Sequence, residues 1–187
     1  MKFKKIIAIT VVVIAGIGFL ISQGYYPVAI VGSDIISAAA VKKNGDVALR
    51  YFHALNTING SSEDLNTPEV LKEIKRGMIS QLIEDNIIYD KAKELVGKDL
   101  SGIADKKVND VLSQAGAKDM AEEVYGISLG DFSRYVLYPQ AYREIVEDRI
   151  FLGGGDFNAW LSEAKKNSKV TILLSSFAWK DGDVALK

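Results

Sequence analysis

The longest amphipathic pattern in the chain runs from Leu71 to Val96 and predicts one long helix. Apolar residues recur in it at steps of three, four and seven, which places them on one helical face. Thr67 is suited to cap its first turn and Gly97 to end its last. Because a helix cannot bury such a face against itself, other helices must pack along it. The predicted face consists of Leu71, Ile74, Met78, Leu82, Tyr89, Ala92 and Val96, widened by Ile79, Ile83 and Ile88.

The N-terminus begins with a group of lysines, followed by an apolar run from Ile6 to Ile21. This pattern is typical of a signal sequence or an N-terminal anchor. The run is shorter than the usual span of ~20 residues, but continuing it to the Tyr25–Tyr26 pair brings it close. We favour an uncleaved anchor. Cleavage near Gly24 is the alternative. We predict an anchor or signal peptide over residues 1–24 and one domain over residues 25–187. The protein is expected in the cell envelope, anchored to the cytoplasmic membrane and facing outside the cytoplasm, or secreted if residues 1–24 are cleaved.

Composition excludes several classes of site. The chain has 23 Lys and Arg residues against 24 Asp and Glu residues, and the N-terminal lysines belong to the basic total. The predicted domain is therefore mildly acidic, which argues against a nucleic-acid partner. Cysteine is absent, so disulfides and thiolate metal sites are excluded.

The rest of the chain predicts further helices, with a short strand near each end. Val28–Val31 and Lys169–Phe177 are apolar and partly β-branched, and we expect them to pair because a lone strand is not stable. A second long helix is predicted from Leu129 onward, kinked where Pro139 removes a backbone donor. The predicted fold class is mostly α, with two long amphipathic helices, a small sheet that pairs the N- and C-terminal strands, and the preceding anchor helix. Shorter helices are predicted over 37–58, capped by Asp34 or Ser37, and over 103–115, 119–125 and 157–167, the last capped by Asp156.

Four short motifs carry a resemblance to a known family. They are Ala29–Ile36 (AIVGSDII), Gln81–Ile88 (QLIEDNII), Ile127–Phe132 (ISLGDF), and Phe157–Leu161 (FNAWL) leading to Lys169–Ile172 (KVTI). Together they resemble the chaperone module of SurA-type and PrsA-type extracytoplasmic foldases, whose helical fold is shared with the C-terminal arm of trigger factor. The resemblance covers Val28 to about Trp179, and its most specific motif is QLIEDNII. In the first motif, Gly32 stands where the family prefers asparagine.

The chain departs from that family at one junction. In these foldases a parvulin-type prolyl isomerase domain usually lies between the second long helix and the closing helix. Here the junction is Phe151–Gly155 (FLGGG). A parvulin domain needs on the order of a hundred residues, far more than such a loop holds. The resemblance therefore implies a polypeptide-binding module without isomerase activity.

The residues themselves give no sign of a catalytic or metal site. His53 is the single histidine, and neither a cysteine nor a second histidine exists to work with it. Glu144, Glu147 and Asp148 share a helix face that could hold a hard cation, but arginines flank them, which favours a solvated face. The Glu84–Asp85 pair receives the same interpretation. We predict no enzyme activity, no cofactor and no metal.

The aromatic and methionine side chains are the candidate binding residues, since such side chains adapt to varied partners. Ordinary core packing is the alternative for each of them, and for Tyr125 beside them. Two functions follow: a membrane-tethered chaperone-like module that binds non-native or exported polypeptides in an apolar groove, or a structural adaptor that docks one folded envelope partner. Homo-oligomers are possible, and the membrane is contacted through the N-terminal segment. The peptide-binding candidates are Met78, Leu82, Met120, Phe132, Tyr135, Tyr138 and Tyr142.

Overall fold

The computed structural model describes residues 22–60 and 64–187. Most of the predicted anchor, residues 1–21, lies outside the described residues. Within the described ranges, no helix combines the length and the apolar character needed to cross a bilayer.

The described chain is mostly helical, with short strands near both ends, and this confirms the predicted fold class. The strands are β1 (Pro27–Val31), β2 (Asp34–Ser37), β3 (Val170–Ile172), β4 (Phe177–Lys180) and β5 (Asp183–Leu186). The α-helices are α1 (Ala38–Asn59), α2 (Pro68–Val96), α3 (Leu100–Leu112), α4 (Ala117–Asp119), α5 (Leu129–Phe132), α6 (Tyr138–Leu152) and α7 (Phe157–Asn167). A 3-10 turn spans Gly97–Asp99, and π-helical segments span Met120–Val124 and Ser133–Leu137.

Helix α2 begins and ends as predicted. The Thr67 side chain accepts a hydrogen bond from the backbone N–H of Val70 at 3.3 Å. At the other end, the N–H of Gly97 donates to the carbonyl of Lys93. These local caps satisfy backbone groups that the helix cannot pair internally, so they determine its length.

The predicted apolar face of α2 is wrong in part. Leu71 and Tyr89 are each 39% exposed, although both were placed on that face. The buried residues come mainly from the set that was expected only to widen the face, because neighbouring elements pack on α2 from more than one side. The residues of α2 that are buried are Ile79, Ile83, Ile87, Ile88 and Ala92.

Two hydrophobic clusters lie along α2. The first combines Ile79 and Ile83 with the sheet, with α1 and with the β4–β5 hairpin. The second combines Ile88 and Ala92 with α3, α5, α6 and α7. Trp160 of α7 packs against both clusters. Helix α2 therefore joins the two halves of the core.

The sheet joins the two ends of the domain, as predicted. Strand β1 pairs antiparallel with β3, with Ala29 opposite Ile172, and it also pairs with β2, so the strand order is β2-β1-β3. Residues 34–37 form β2, where a turn and the start of a helix were predicted. Of the two proposed caps for α1, the structure uses Ser37, whose Oγ accepts from the N–H of Ala40 at 3.2 Å. The strand predicted over 169–177 is shorter, and the chain continues into the unpredicted β4–β5 hairpin.

The second long helix is interrupted next to Pro139. Ser128 caps its first turn by accepting from the N–H of Asp131 at 3.1 Å. The backbone then passes through the π-helical segment 133–137 before α6 begins. Because proline has no N–H to donate, the regular α-helical bonding cannot continue through Pro139, and the wider π turn precedes it. The predicted kink site coincides with this change in helix type.

Candidate functional site

A cavity of about 460 Å³ lies between α1, α2 and the segment that leads from the second π turn into α6. We call it the three-helix groove. Its volume is within the range of sites that bind ligands. Each wall contributes residues about one helical turn apart, so each presents a single face. The lining residues are Asn44, Val47, Ala48, Tyr51 and Phe52 of α1; Met78, Gln81 and Asp85 of α2; and Tyr125, Tyr135, Val136, Pro139, Gln140 and Arg143.

Aromatic rings form one end of the three-helix groove. The ring of Tyr51 stacks on that of Tyr125, with centroids 5.1 Å apart and planes at 20°. Phe52 lies next to Tyr51, with 5.9 Å between ring centroids, and is 42% exposed. On the inner side, Tyr125 contacts Phe132, with centroids 5.2 Å apart. The four rings thus form a row from the exposed Phe52 to the buried Phe132, which offers an apolar partner aromatic surface at increasing depth.

Polar contacts hold α1 in place over the groove. Lys43 forms an ion pair with Asp131 at 3.2 Å, and its Nζ lies 5.6 Å from the centroid of the Tyr135 ring. The guanidinium of Arg50 donates a hydrogen bond to the carbonyl of Gly126. These contacts join α1 to the chain on the far side of the groove. The width of the groove is therefore set by tertiary structure.

Two of the seven predicted binding residues, Met78 and Tyr135, line the three-helix groove. Two others do not line it: Phe132 is 4% exposed, and Leu82 is partly buried against the first hydrophobic cluster. Their role in peptide binding stays a prediction.

The other three predicted residues do not line this groove either. The Tyr138 hydroxyl donates to Asp105 at 2.7 Å, and Tyr142 packs edge-on against Tyr89, with ring centroids 5.1 Å apart. These contacts direct both tyrosines toward α3 and the C-terminal half of α2. Met120 is 48% exposed and, together with Phe132, lines an adjoining cavity of about 390 Å³, which shares Tyr125, Val136 and Gln140 with the groove.

The aromatic residues that sequence reasoning left out of the site are Tyr51 and Phe52 of α1, together with Tyr125. Tyr51 and Phe52 lie on the helix that was predicted over 37–58, and Tyr125 had been noted beside the candidate binding residues. Periodicity identifies which residues share a face, but it does not say which helix that face will meet. The contact between α1 and the π turn is the missing information.

A larger cavity, of about 630 Å³, lies beside Gly24 on another side of α1. Its described lining includes aliphatic residues, the charged Lys42, Asp46 and Lys75, and one aromatic residue, Tyr26, and no methionine is among these described residues. The three-helix groove is the better candidate because several aromatic rings and a methionine line it.

The predicted solvated face at Glu84–Asp85 is wrong for Glu84. Its side chain is only 20% exposed and accepts hydrogen bonds from Arg143 of α6 and, at 3.3 Å, from Lys165 of α7. The Arg143 guanidinium also lies over the Phe157 ring, 5.3 Å from its centroid. One carboxylate thus ties three helices together, which the sequence did not show.

Asp85 is in a different position, although it is the next residue. Its partly buried carboxyl lines the groove, and no side chain in the described ranges 22–60 and 64–187 forms an ion pair or hydrogen bond with it. Its pKa is raised from 3.8 to about 7, first because burial disfavours the charged form and second because the Glu84 carboxylate is close. The Arg143 charge acts in the opposite direction. Such a shifted carboxyl in a cavity is typical of functional sites.

We expect Glu84→Gln to lower the free energy of unfolding by about 1–2 kcal/mol. The change leaves Arg143 and Lys165 without their anion, but the partial exposure of these groups keeps the loss below that of a fully buried pair. The pKa of Asp85 should fall as well, since one of its raising charges is removed. Urea denaturation and NMR titration of the Asp85 carboxyl measure the two effects.

Glu94→Gln is the matched control for this change. Glu94 lies on the same helix, is 67% exposed and pairs only with Lys91. It should alter stability by less than about 0.5 kcal/mol. Equal effects of the two variants would show that Glu84 does not join the helices in solution.

The structure also places the residues considered for metal or acid–base chemistry. Within residues 22–60 and 64–187, no group of three His, Cys, Asp or Glu side chains is arranged to hold a metal ion. His53 is exposed, and Lys107 pairs with Glu144 at 3.1 Å and with Asp148 at 3.4 Å. Comparisons with protein-family models, curated proteins and solved structures return no match for this chain.

Proposed function

We propose that the chain is a chaperone-like module that binds segments of non-native polypeptide in the three-helix groove. The proposal places it at the outer side of the cytoplasmic membrane, anchored through its N-terminal segment, and assigns it no catalytic step. The observation that carries it is the lining of the groove, in which Tyr51, Phe52, Met78, Tyr125 and Tyr135 meet from three helices.

This lining suits a variable partner. Methionine is flexible and polarisable, so Met78 can repack against side chains of different shape. The tyrosines offer an apolar ring with a polar hydroxyl, which can bind both the apolar and the backbone groups of a peptide. Promiscuous binding surfaces commonly combine these features. Contacts of this kind also permit release, which a chaperone requires.

The resemblance to the SurA-type and PrsA-type modules supports the same proposal. Its most specific motif, Gln81–Ile88, lies on α2, and Gln81 and Asp85 from it line the groove. The motif therefore lies at the surface on which the proposal depends. Fold-level analogy by itself does not establish a function, so the groove requires a direct test.

The test is suppression of aggregation when a denatured client protein is diluted into buffer that contains the purified full-length chain. We expect dose-dependent suppression of light scattering, and we expect Tyr135→Asp to reduce it at least about fivefold by placing a charge in the apolar groove. The fold should tolerate this change because Tyr135 is only partly buried, so the new carboxylate can remain in contact with water. Circular dichroism checks that the helices remain.

Phe151→Asp is the control for introducing a charge. Phe151 is 77% exposed at the end of α6, outside the groove, and the change should leave suppression intact. No suppression by the unaltered chain at molar excess would reject the chaperone proposal.

A second candidate function is the structural adaptor, and one observation favours it. Phe151 and Leu152 are adjacent and each is 77% exposed, which makes a small apolar patch beside the Gly153–Gly155 turn. Exposed apolar patches commonly mark contacts with a partner protein. An adaptor predicts the reverse pattern: Phe151→Asp would abolish recovery of a single stoichiometric partner from envelope extracts, and Tyr135→Asp would not.

A further inference from the structure

Asp85 is the one carboxylate among the described residues that line the three-helix groove. The surrounding cations are committed elsewhere. Arg143, on the opposite wall, donates to Glu84, and Lys165 donates to the other oxygen of Glu84. Lys43 of α1, near the Tyr135 ring, pairs with Asp131. The groove therefore holds a negative group that the rest of the described chain does not neutralise by direct contact.

The surroundings of Asp85 are suited to a long cationic side chain. Aliphatic and aromatic groups from Val47, Met78 and Tyr135 line the approach, and the methylene groups of a lysine or arginine could pack along them. A charge-assisted hydrogen bond to the carboxylate would then satisfy an acceptor that has no partner in the described chain. An acidic segment would instead be repelled by Asp85 and by its neighbour Glu84.

We propose that the three-helix groove selects polypeptide segments in which a lysine or arginine lies among apolar residues, and that the Asp85 carboxylate binds this basic group. The inference rests on the proposed function, because it names the class of segment that the same groove binds. It assigns Asp85 the role of a specificity-determining residue. The aromatic and methionine side chains supply affinity for apolar groups, and Asp85 distinguishes basic segments from neutral or acidic ones.

The proposal includes a dependence on pH. The other charged or titratable groups at the groove are Tyr51 and Lys43 from α1, Glu84 from α2, and Tyr125, Tyr135 and Arg143 from the third wall. Asp85 loses its charge as the pH falls below the range near 7 that burial gives its pKa. Preference for a basic segment should therefore be strong at about pH 8 and weak at about pH 5.5, while lysine itself stays charged throughout.

The experiment measures fluorescence anisotropy of short labelled peptides added to the full-length chain. Three peptides share a sequence of leucine and phenylalanine and differ at one central position, which is lysine, norleucine or glutamate. Norleucine keeps the aliphatic stem of lysine and removes its charge, so this pair isolates the ionic contact. We expect the lysine peptide to bind about tenfold more tightly than the norleucine peptide at pH 8, and the glutamate peptide to bind least.

Asp85→Asn should bind the lysine and norleucine peptides equally at both pH values. Asp110→Asn, on the exposed surface of α3, is the matched control and should keep the preference for lysine. Because His53 is present in every variant, a pH effect that persists in Asp85→Asn would come from another group and would overturn the assignment.

Other outcomes separate this inference from the function on which it rests. Equal binding of the lysine and norleucine peptides by the unaltered chain would overturn the role of Asp85 and leave the peptide-binding groove in place. Absence of binding to every peptide, together with absence of aggregation suppression, would overturn both proposals. The unaltered chain could also self-associate in the absence of peptide. If Asp85→Asn abolished that self-association, the groove would be assigned to a second copy of the chain, and the inference would be overturned.

Discussion

Replacing Phe177 by alanine should lower the free energy of unfolding by about 3–5 kcal/mol, the usual cost of removing a buried aromatic side chain. Phe177 is the first residue of β4 and is 2% exposed. It belongs to the first hydrophobic cluster together with Ile79 and Ile83 of α2. The change removes the largest fully buried side chain from the contact between the C-terminal hairpin and α2. Urea denaturation followed by circular dichroism measures the effect.

Polar contacts reinforce the same interface. The Arg76 guanidinium donates to the carbonyl of Val184 at 2.8 Å, and the Ser80 hydroxyl donates to Asp183 at 2.7 Å. These bonds orient the hairpin, but their partial exposure limits their contribution to stability. We therefore expect the loss of Phe177 to dominate over the loss of either bond.

Phe151→Ala is the control that separates burial from residue type. The same atoms are removed, but Phe151 is 77% exposed, so its loss should change stability by less than about 0.5 kcal/mol. A small effect at both positions would mean that the β4–β5 hairpin does not pack on α2 in solution.

Asp85→Asn should stabilise the protein at pH 8, by as much as about 4 kcal/mol. This limit follows from the rise in the Asp85 pKa from 3.8 to about 7, since each unit of pKa corresponds to about 1.4 kcal/mol. A carboxylate forced to ionise in a partly buried site costs stability, whereas the neutral amide of asparagine avoids that cost. A stabilising substitution at a polar residue of the groove is the expected mark of a group retained for binding.

The gain should depend on pH in a defined direction. Below about pH 4 the Asp85 carboxyl is protonated in both the folded and the unfolded chain, so the variant gains little. Between about pH 4 and pH 7 the unfolded chain loses this proton while the folded chain retains it, so the unaltered protein loses stability as the pH rises. Above that range the difference is constant.

Urea denaturation of both proteins at several pH values from 4 to 8 tests this dependence. Asp110→Asn, on the exposed surface of α3, controls for the general effect of removing one negative charge. A difference between Asp85→Asn and the unaltered protein that stays constant over this range would contradict the position of Asp85 in the groove.

Much of the secondary structure was available from local sequence. The caps at Thr67, Ser128 and Asp156 lie where a short polar side chain precedes an apolar helical pattern, and each accepts a hydrogen bond from the backbone N–H three residues on. The interruption before Pro139 likewise follows from one missing donor. These features depend on a few neighbouring residues, so they do not require knowledge of the tertiary fold.

The β4–β5 hairpin could also have been found in the sequence. Its strands are joined by Asp181–Gly182, and both residues have positive φ, at 53° and 86°. An Asp-Gly pair between two apolar runs is a strong indication of a tight hairpin turn, because glycine tolerates this conformation and aspartate adopts it more readily than most residues. Interpreting 169–177 as one strand obscured it.

The sequence by itself determined the helical class, the ends of α2 and the pairing of the terminal strands, because caps, periodicity and the instability of a lone strand are local or general constraints. Only the tertiary structure decided the roles of Glu84 and Asp85. Successive residues on an α-helix point in directions about 100° apart, since a turn holds 3.6 residues. Glu84 therefore meets the cations of α6 and α7, and Asp85 lines the groove without one. Two adjacent acids of similar chemistry differ in their contacts because three other helices pack around them.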